Sequence, residues 1–145
     1  MAGTLGPIVR RLNQHARRLQ QSTLHEMPAL VLTNASGADL TAGDVVVLDP
    51  VTALAVGHAA SAGDPAPLVV LTGGAHGETV KCAGRGYGPV DVTCDTGAVA
   101  IGDALVASAT AAQARADNAA GVRAVLGVAM TAKAAGASGT VTALL

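Results

Sequence analysis

"AGDVVVLDPVTALAV", residues 42–56, shows the pattern that most clearly indicates the fold. A Gly-Asp pair precedes an apolar run, Asp49-Pro50 interrupts that run, and a second apolar run follows. Glycine accepts a positive φ and aspartate hydrogen-bonds its own backbone in turns, so the Gly-Asp pair is interpreted as turn chemistry and not as a binding motif. The stretch therefore predicts a strand, a turn and a returning strand.

The Gly-Asp pair occurs three times, at 43–44, 63–64 and 102–103, and each pair is expected just before a strand. From Ala29 onward the apolar residues alternate with polar ones, as in "PVDVTC", residues 89–94. Short alternating runs separated by Gly, Asp, Asn and Pro predict an all-β protein, a small sandwich or barrel of short antiparallel strands. The strands are expected near 30–34, 45–49, 53–57, 67–72, 78–83, 89–94, 98–101, 104–107, 112–116, 122–130 and 139–144. The Ala-rich stretch 107–120 is left open between strand, helix and loop, because alanine favours helix while the spacing of the turns favours a hairpin.

Residues 5–21, "LGPIVRRLNQHARRLQQ", have the period of an amphipathic helix. Pro7 suits the first turn of that helix, and Pro28 prevents its continuation into the body. The chain is therefore divided into a basic helical arm, residues 1–25, and a β-rich domain, residues 26–145.

Composition limits what the chain is expected to do. Half of the 145 residues are apolar, but there is no Phe or Trp and only one Tyr, so the core is built mainly from Ala, Val and Leu. Such a thin core favours a homo-oligomer. Four arginines and no acid give residues 1–25 a charge of +4, whereas all ten acidic residues and the other five basic ones lie in 26–145. A basic arm on an acidic body without aromatic platforms predicts docking to a protein or between subunits, and no nucleic-acid binding.

The sequence offers no apolar signal region and no run long enough to span a membrane, so the protein is expected to be made in a cytoplasm and to make no membrane contact. Two glycine-rich stretches, "TGGAHGET" at 72–79 and "GRGYG" at 84–88, lack the Lys-Ser or Lys-Thr of a phosphate loop and are predicted to be hairpin loops. Cys82 and Cys94 are expected to be buried free thiols, with a cross-strand disulfide as the alternative.

The histidines are scattered, and a triad of Ser108, His76 and an aspartate has no supporting local motif. We therefore predict no catalytic residue, no metal site, no cofactor, no small-molecule substrate and no enzymatic activity.

The arm is the segment expected to carry function. Its apolar stripe either packs on its own sheet or docks elsewhere, and its arginines suit contacts with carboxylates at a protein interface. The candidate residues for binding a partner or another subunit are Leu5, Ile8, Arg10, Arg11, Leu12, Arg17, Arg18 and Leu19.

Three stretches resemble the body of bacteriophage head decoration proteins, also called capsid cement proteins. They are "LTAGDVVVLDPVTALAV", "VDVTCDTGAVAIGDALVASATAAQAR" and "VRAVLGVAMTAKAAGASGTVTALL", which cover most of residues 29–145. The resemblance lies in the style and order of the Gly-Asp strands, the Ala-rich stretch and the closing strand.

The resemblance implies a structural virion protein that forms homotrimers on the outer capsid surface and stabilises the lattice of the major capsid protein. In that family the N-terminal arm commonly looks extended, whereas this sequence predicts a helix there. The alternative interpretation is a trimeric module of a phage head fibre or tail fibre that attaches to a host-surface ligand.

Overall fold

The computed structural model describes residues 11, 13–14, 28–61, 64–119 and 124–145. This part of the chain forms ten strands. They are β1 (Leu30–Asn34), β2 (Val45–Leu48), β3 (Ala55–His58), β4 (Leu68–Thr72), β5 (Thr79–Ala83), β6 (Pro89–Cys94), β7 (Ala104–Ala107), β8 (Ala114–Ala116), β9 (Val125–Ala129) and β10 (Gly139–Leu144). The predicted all-β body is confirmed, and the strands at 30–34, 89–94, 104–107 and 139–144 have the predicted bounds.

The ten strands close into two five-stranded barrels. In barrel 1 the strand order is β1-β3-β2-β4-β5, and β5 pairs with β1 to close the ring. In barrel 2 the order is β6-β8-β7-β9-β10, and β10 pairs with β6. One pair in each barrel is parallel, β1 with β3 and β6 with β8, and the other pairs are antiparallel. Closure leaves no exposed sheet edge in either half.

The two barrels are copies of one topology, because each strand of barrel 1 has its counterpart five strands later. Matching backbone bonds fix which residues correspond. Gly43 N donates to Val70 O at 2.8 Å, and Gly102 N donates to Ala129 O at 2.8 Å. An isolated bridge joins Leu40 to Gly74, and its counterpart joins Val99 to Lys133. The chain is therefore a tandem structural duplication.

The Gly-Asp turns confirm the sequence interpretation at two of their three positions. Gly43 and Gly102 have φ values of 93° and 92°, which a residue with a side chain rarely adopts. The carboxylate of Asp44 accepts a bond from Thr41 N at 2.9 Å, and that of Asp103 accepts one from Ala100 N at 2.8 Å. Both pairs lead directly into a strand.

The third Gly-Asp pair differs. Gly63 lies outside the described residues, and the carboxylate of Asp64 accepts bonds from the backbone of Ala60 and Ser61. It is therefore a turn residue, but the next strand begins only at Leu68 and not directly after it.

Two hydrophobic clusters fill the molecule. The first is the interior of barrel 1 and consists of Leu32, Leu40, Val46, Val56, Leu68, Val70, Val80 and Cys82. The second fills barrel 2, and it also contains four buried residues of barrel 1: Val45, Ala59, Val69 and Ala83. Since neighbouring residues of a strand point to opposite sides, Val45 and Val69 lie on the outer side of barrel 1, against barrel 2.

The strand pairing decides three predictions about short segments of the chain. The strand expected at 98–101 is wrong, because Val99 makes a single bridge and the chain then turns through Gly102 before β7 begins. The Ala-rich stretch contains a hairpin, in which β7 and β8 are antiparallel neighbours. The loop at 72–79 does connect the antiparallel strands β4 and β5.

The loop at 84–88, predicted as a hairpin, instead links the two barrels. Its flanking strands do not pair with each other, because β5 is bonded to β1 and β4 while β6 is bonded to β10 and β8.

The predicted N-terminal helix, residues 5–21, lies outside the described residues except for Arg11, Asn13 and Gln14. These three have helical backbone and exposed side chains, which is too little to support the helix. The division into arm and body stays a prediction.

Candidate interaction surfaces

The two barrels meet through the turn between β7 and β8. Ala112 in this turn donates from its N–H to Ala59 O at 2.9 Å and accepts from Val45 N at 2.9 Å. A third bond between the barrels runs from Thr93 N to Gly43 O, also 2.9 Å. We call residues 108–112 the docked turn, since it attaches barrel 2 to the outer side of barrel 1.

The outer side of barrel 1 that receives barrel 2 is apolar. Val45, Val69 and Ala83 are buried there, and Leu71 is partly buried against the same cluster. These four residues are called the covered face. Beside it lies a cleft of about 480 Å³ between the barrels, lined by residues of both, including Ala42, Tyr87 and Asp91.

At the far end of barrel 1, the turn between β2 and β3 is exposed and apolar. Val51 is 90% exposed and Leu54 is 78% exposed, and Leu48 before them is 58% exposed. Pro50 lines a neighbouring groove of about 370 Å³ that has Pro65 and Ala66 on its other side. Residues 49–54 are called the free turn. Exposed apolar side chains that cluster in this way mark interaction sites more often than scattered ones do.

Barrel 2 carries its own exposed apolar side chains. Ile101 is 71% exposed, and three other large apolar residues are close to half exposed. We call this set the open face, and its members are Ile101, Val128, Met130 and Leu144.

The described residues offer no comparable site for chemistry. No three His, Cys, Asp or Glu side chains among them come together to hold a metal ion. Ser108 is buried, and its hydroxyl donates a hydrogen bond to the Asp95 carboxylate. Nδ1 of His76 accepts a hydrogen bond from Gly37 N at 3.0 Å. Ser108 and His76 therefore serve two different loops.

Both cysteines are buried and free, which confirms the prediction of thiols over a disulfide. Burial raises the pKa of the Cys82 thiol to about 11, and it raises the pKa of Cys94 to about 11 as well. Neither thiol is an accessible nucleophile at neutral pH.

The predicted contact residues of the arm fall almost entirely outside the described residues. Arg11 is the exception, and its side chain is exposed. Their predicted role is therefore untested. The residues that sequence reasoning missed are those of the free turn and the open face. The pattern that would have revealed them is the repeat of "LTAGD" at 40–44 as "VAIGD" at 99–103, because it aligns the two halves.

No helix within the described ranges is long and apolar enough to cross a membrane.

No protein-family model matches the chain, and no curated protein is significantly similar to it in sequence. Among solved structures, the chain is similar in fold to the N base of the head fiber protein gp8.5 of bacteriophage phi29. The TM-score is 0.58, and the match covers 81% of this chain and 92% of that chain. With 16% sequence identity, the match establishes a shared fold.

Proposed function

We propose that this chain is a structural protein of a bacteriophage virion that binds the outer surface of the capsid. The observation that carries the proposal is the match in fold to the N base of a phage head fiber over 92% of that chain. The resemblance of residues 29–145 to capsid cement proteins supports the same class independently of the fold. In this role the chain has no enzymatic activity, forms homotrimers and stabilises the lattice of the major capsid protein.

The N-terminal arm is the part proposed to reach the capsid. Four of the chain's nine basic residues lie there, whereas the body carries the ten acidic ones. A cationic arm is attracted to an acidic shell surface, and many identical weak contacts on a lattice give firm attachment.

The test measures binding of the full chain to empty expanded capsids assembled from the major capsid protein of the same phage. The test variant replaces Arg10, Arg11, Arg17 and Arg18 with Gln, and the control is Lys81→Gln, which removes an exposed cation from the body. In a sedimentation assay at low salt we expect the arm variant to bind about tenfold more weakly or worse, since several charge-assisted contacts are lost. The control should bind like the parent chain. Equal binding by the arm variant would contradict the role of the arm.

A second candidate function is the base of a head fibre, and the same structural match favours it because that neighbour is itself a fiber base. The number of copies per virion separates the two functions. A cement protein occupies the repeated positions of the capsid lattice, so its copy number follows that of the major capsid protein. For a fibre base we expect fewer copies than the lattice has positions. Quantitative mass spectrometry of purified virions measures this ratio directly.

A further inference from the structure

We propose that copies of this chain dock head to tail, with the free turn of one copy on the open face of the next. The contact would repeat, between chains, the one that joins the two barrels within a chain. The proposal goes beyond the proposed function and does not depend on it, because it follows from the duplication alone.

The open face is the counterpart in barrel 2 of the covered face in barrel 1. Val69 pairs with Ala83 between β4 and β5, and at the matching position Val128 pairs with Leu144 between β9 and β10. Val69 and Ala83 are buried under barrel 2, whereas Val128 is 43% exposed and Leu144 is 48% exposed.

The two remaining members of the open face follow the same rule. Met130 corresponds to Leu71, which packs against the cluster shared by the barrels, yet Met130 is exposed. Ile101 corresponds to Ala42, which lines the cleft between the barrels. Each large exposed apolar residue described in barrel 2 therefore occupies a position that barrel 1 uses for its contact with barrel 2.

The free turn is likewise the counterpart of the docked turn. Asp49 N donates to Ala55 O, and Ser108 N donates to Gln113 O, so these two bonds close equivalent turns. Leu54 and Ala112 correspond because each directly precedes the residue whose carbonyl accepts the bond, and the free turn is one residue longer than the docked turn. These two residues share a left-handed backbone, with φ values of 53° and 62°. Ala112 makes two of the backbone bonds that attach barrel 2 to barrel 1, while Leu54 projects into solvent.

One chain therefore carries both halves of the contact, the free turn on barrel 1 and the open face on barrel 2, and both are exposed in the described part of the chain. A contact between two different surfaces is heterologous, so it either closes into a ring or continues as a filament. A second copy of the chain is the occupant that the structure supports, since the same fold already makes this contact once.

The contact between copies should be weaker than the one within the chain. Two of the atoms that would form its backbone bonds already have partners in their own barrels. Leu54 O accepts from Thr33 N at 2.9 Å, and Ala104 N donates to the side chain of Asn118 at 2.9 Å. Docking therefore relies on apolar side chains, and we expect an association that depends visibly on concentration.

The first measurement is sedimentation velocity of the full chain over a wide range of concentrations, with one variant for each surface. Leu54→Asp places a carboxylate in the free turn, where aspartate tolerates the left-handed backbone better than leucine does. Met130→Asp does the same on the open face. The control is Ala98→Asp, at an exposed position whose counterpart in barrel 1 is already Asp39. Circular dichroism establishes that each variant is folded, and Ile101→Asp replaces Met130→Asp if that variant is not.

We expect the parent chain and the control to associate as concentration rises, and each surface variant to associate about tenfold more weakly or worse, because it buries an unpaired carboxylate. Mixing the two variants provides the decisive readout. The first retains a working open face and the second a working free turn, so the mixture should form a heterodimer and nothing larger. A parent chain that stays monomeric, surface variants that associate like the parent, or a mixture that stays monomeric would each overturn the proposal.

Discussion

The duplication provides a matched pair of glycines that isolates the contact between the barrels. Gly43 and Gly102 occupy the same turn with nearly the same φ, so replacing either with alanine imposes the same backbone strain. Their surroundings differ. A Cβ atom on Gly102 would meet nothing within 4 Å, whereas one on Gly43 would lie 3.0 Å from Oγ1 of Thr93.

The expected magnitudes follow from these distances. Gly102→Ala should lower the free energy of unfolding by about 1 kcal/mol. An alanine is strained in this left-handed conformation, but it also reduces the conformational entropy of the unfolded chain, which offsets part of the strain. Gly43→Ala carries the same strain, and it also displaces Thr93 and weakens the 2.9 Å bond from Thr93 N to Gly43 O. That bond contributes about 1 kcal/mol, so the total for Gly43→Ala should be roughly 2–3 kcal/mol.

Urea unfolding followed by circular dichroism measures both free energies, at low protein concentration so that association does not contribute. Tyr87, the one aromatic residue, lines the cleft between the barrels and gives a second optical probe. Adding Thr93→Ala should recover part of the loss in Gly43→Ala, while its effect should simply add to that of Gly102→Ala. Equal losses for the two glycine variants would refute this account of the barrel contact.

Three further predictions concern the interior and the turns. Asn34 is fully buried, and its side-chain amide donates to the carbonyl oxygens of Ala38 and Gly74. Asn34→Ala leaves these buried groups unpaired, so it should lower the free energy of unfolding by about 1–3 kcal/mol, measured by thermal unfolding. Cys82 and Cys94 should resist labelling by a thiol reagent at pH 8 in the native protein, since burial raises both pKa values to about 11. Both should react at once in denaturant, and fast labelling of the native protein would contradict their burial. The bond from Ala100 N, with a second from Asn118, lowers the pKa of the Asp103 carboxyl. The ionised Asp103 carboxylate therefore stabilises the fold at pH values above its unfolded pKa of about 4, and this stabilisation is lost as the pH falls through the lower folded pKa. The free energies of unfolding of the parent and of Asp103→Asn should therefore converge in acid.

The sequence predicted the strands well where alternation and turn residues agreed. The β6 and β10 strands have alternating patterns, β6 between Gly88 and Asp95 and β10 after the turn at Gly136, and their bounds were predicted correctly. The strand expected at 98–101 was wrong although all four residues are apolar, because only Val99 is buried and a single bridge to Lys133 satisfies its backbone.

The arrangement of two barrels was not predicted, because periodicity describes one strand at a time and contains no information on which strands pair. The loop at 84–88 shows this limit, since its glycines suit a hairpin as well as a link between barrels. The interaction surfaces were missed for the same reason. Val69 and Val128 look alike in sequence, and only the pairing reveals that one is covered while its counterpart is exposed.

The distribution of the two hydrophobic clusters has a consequence for how the protein is made. Among the described residues, those that fill the interior of barrel 1 all lie within 32–82, whereas the cluster in barrel 2 also uses Val45, Val69 and two alanines of barrel 1. A nascent chain can therefore complete its first half while the ribosome is still translating the second. We expect the second half to condense onto a surface that already exists, so that the order of folding follows the order of synthesis.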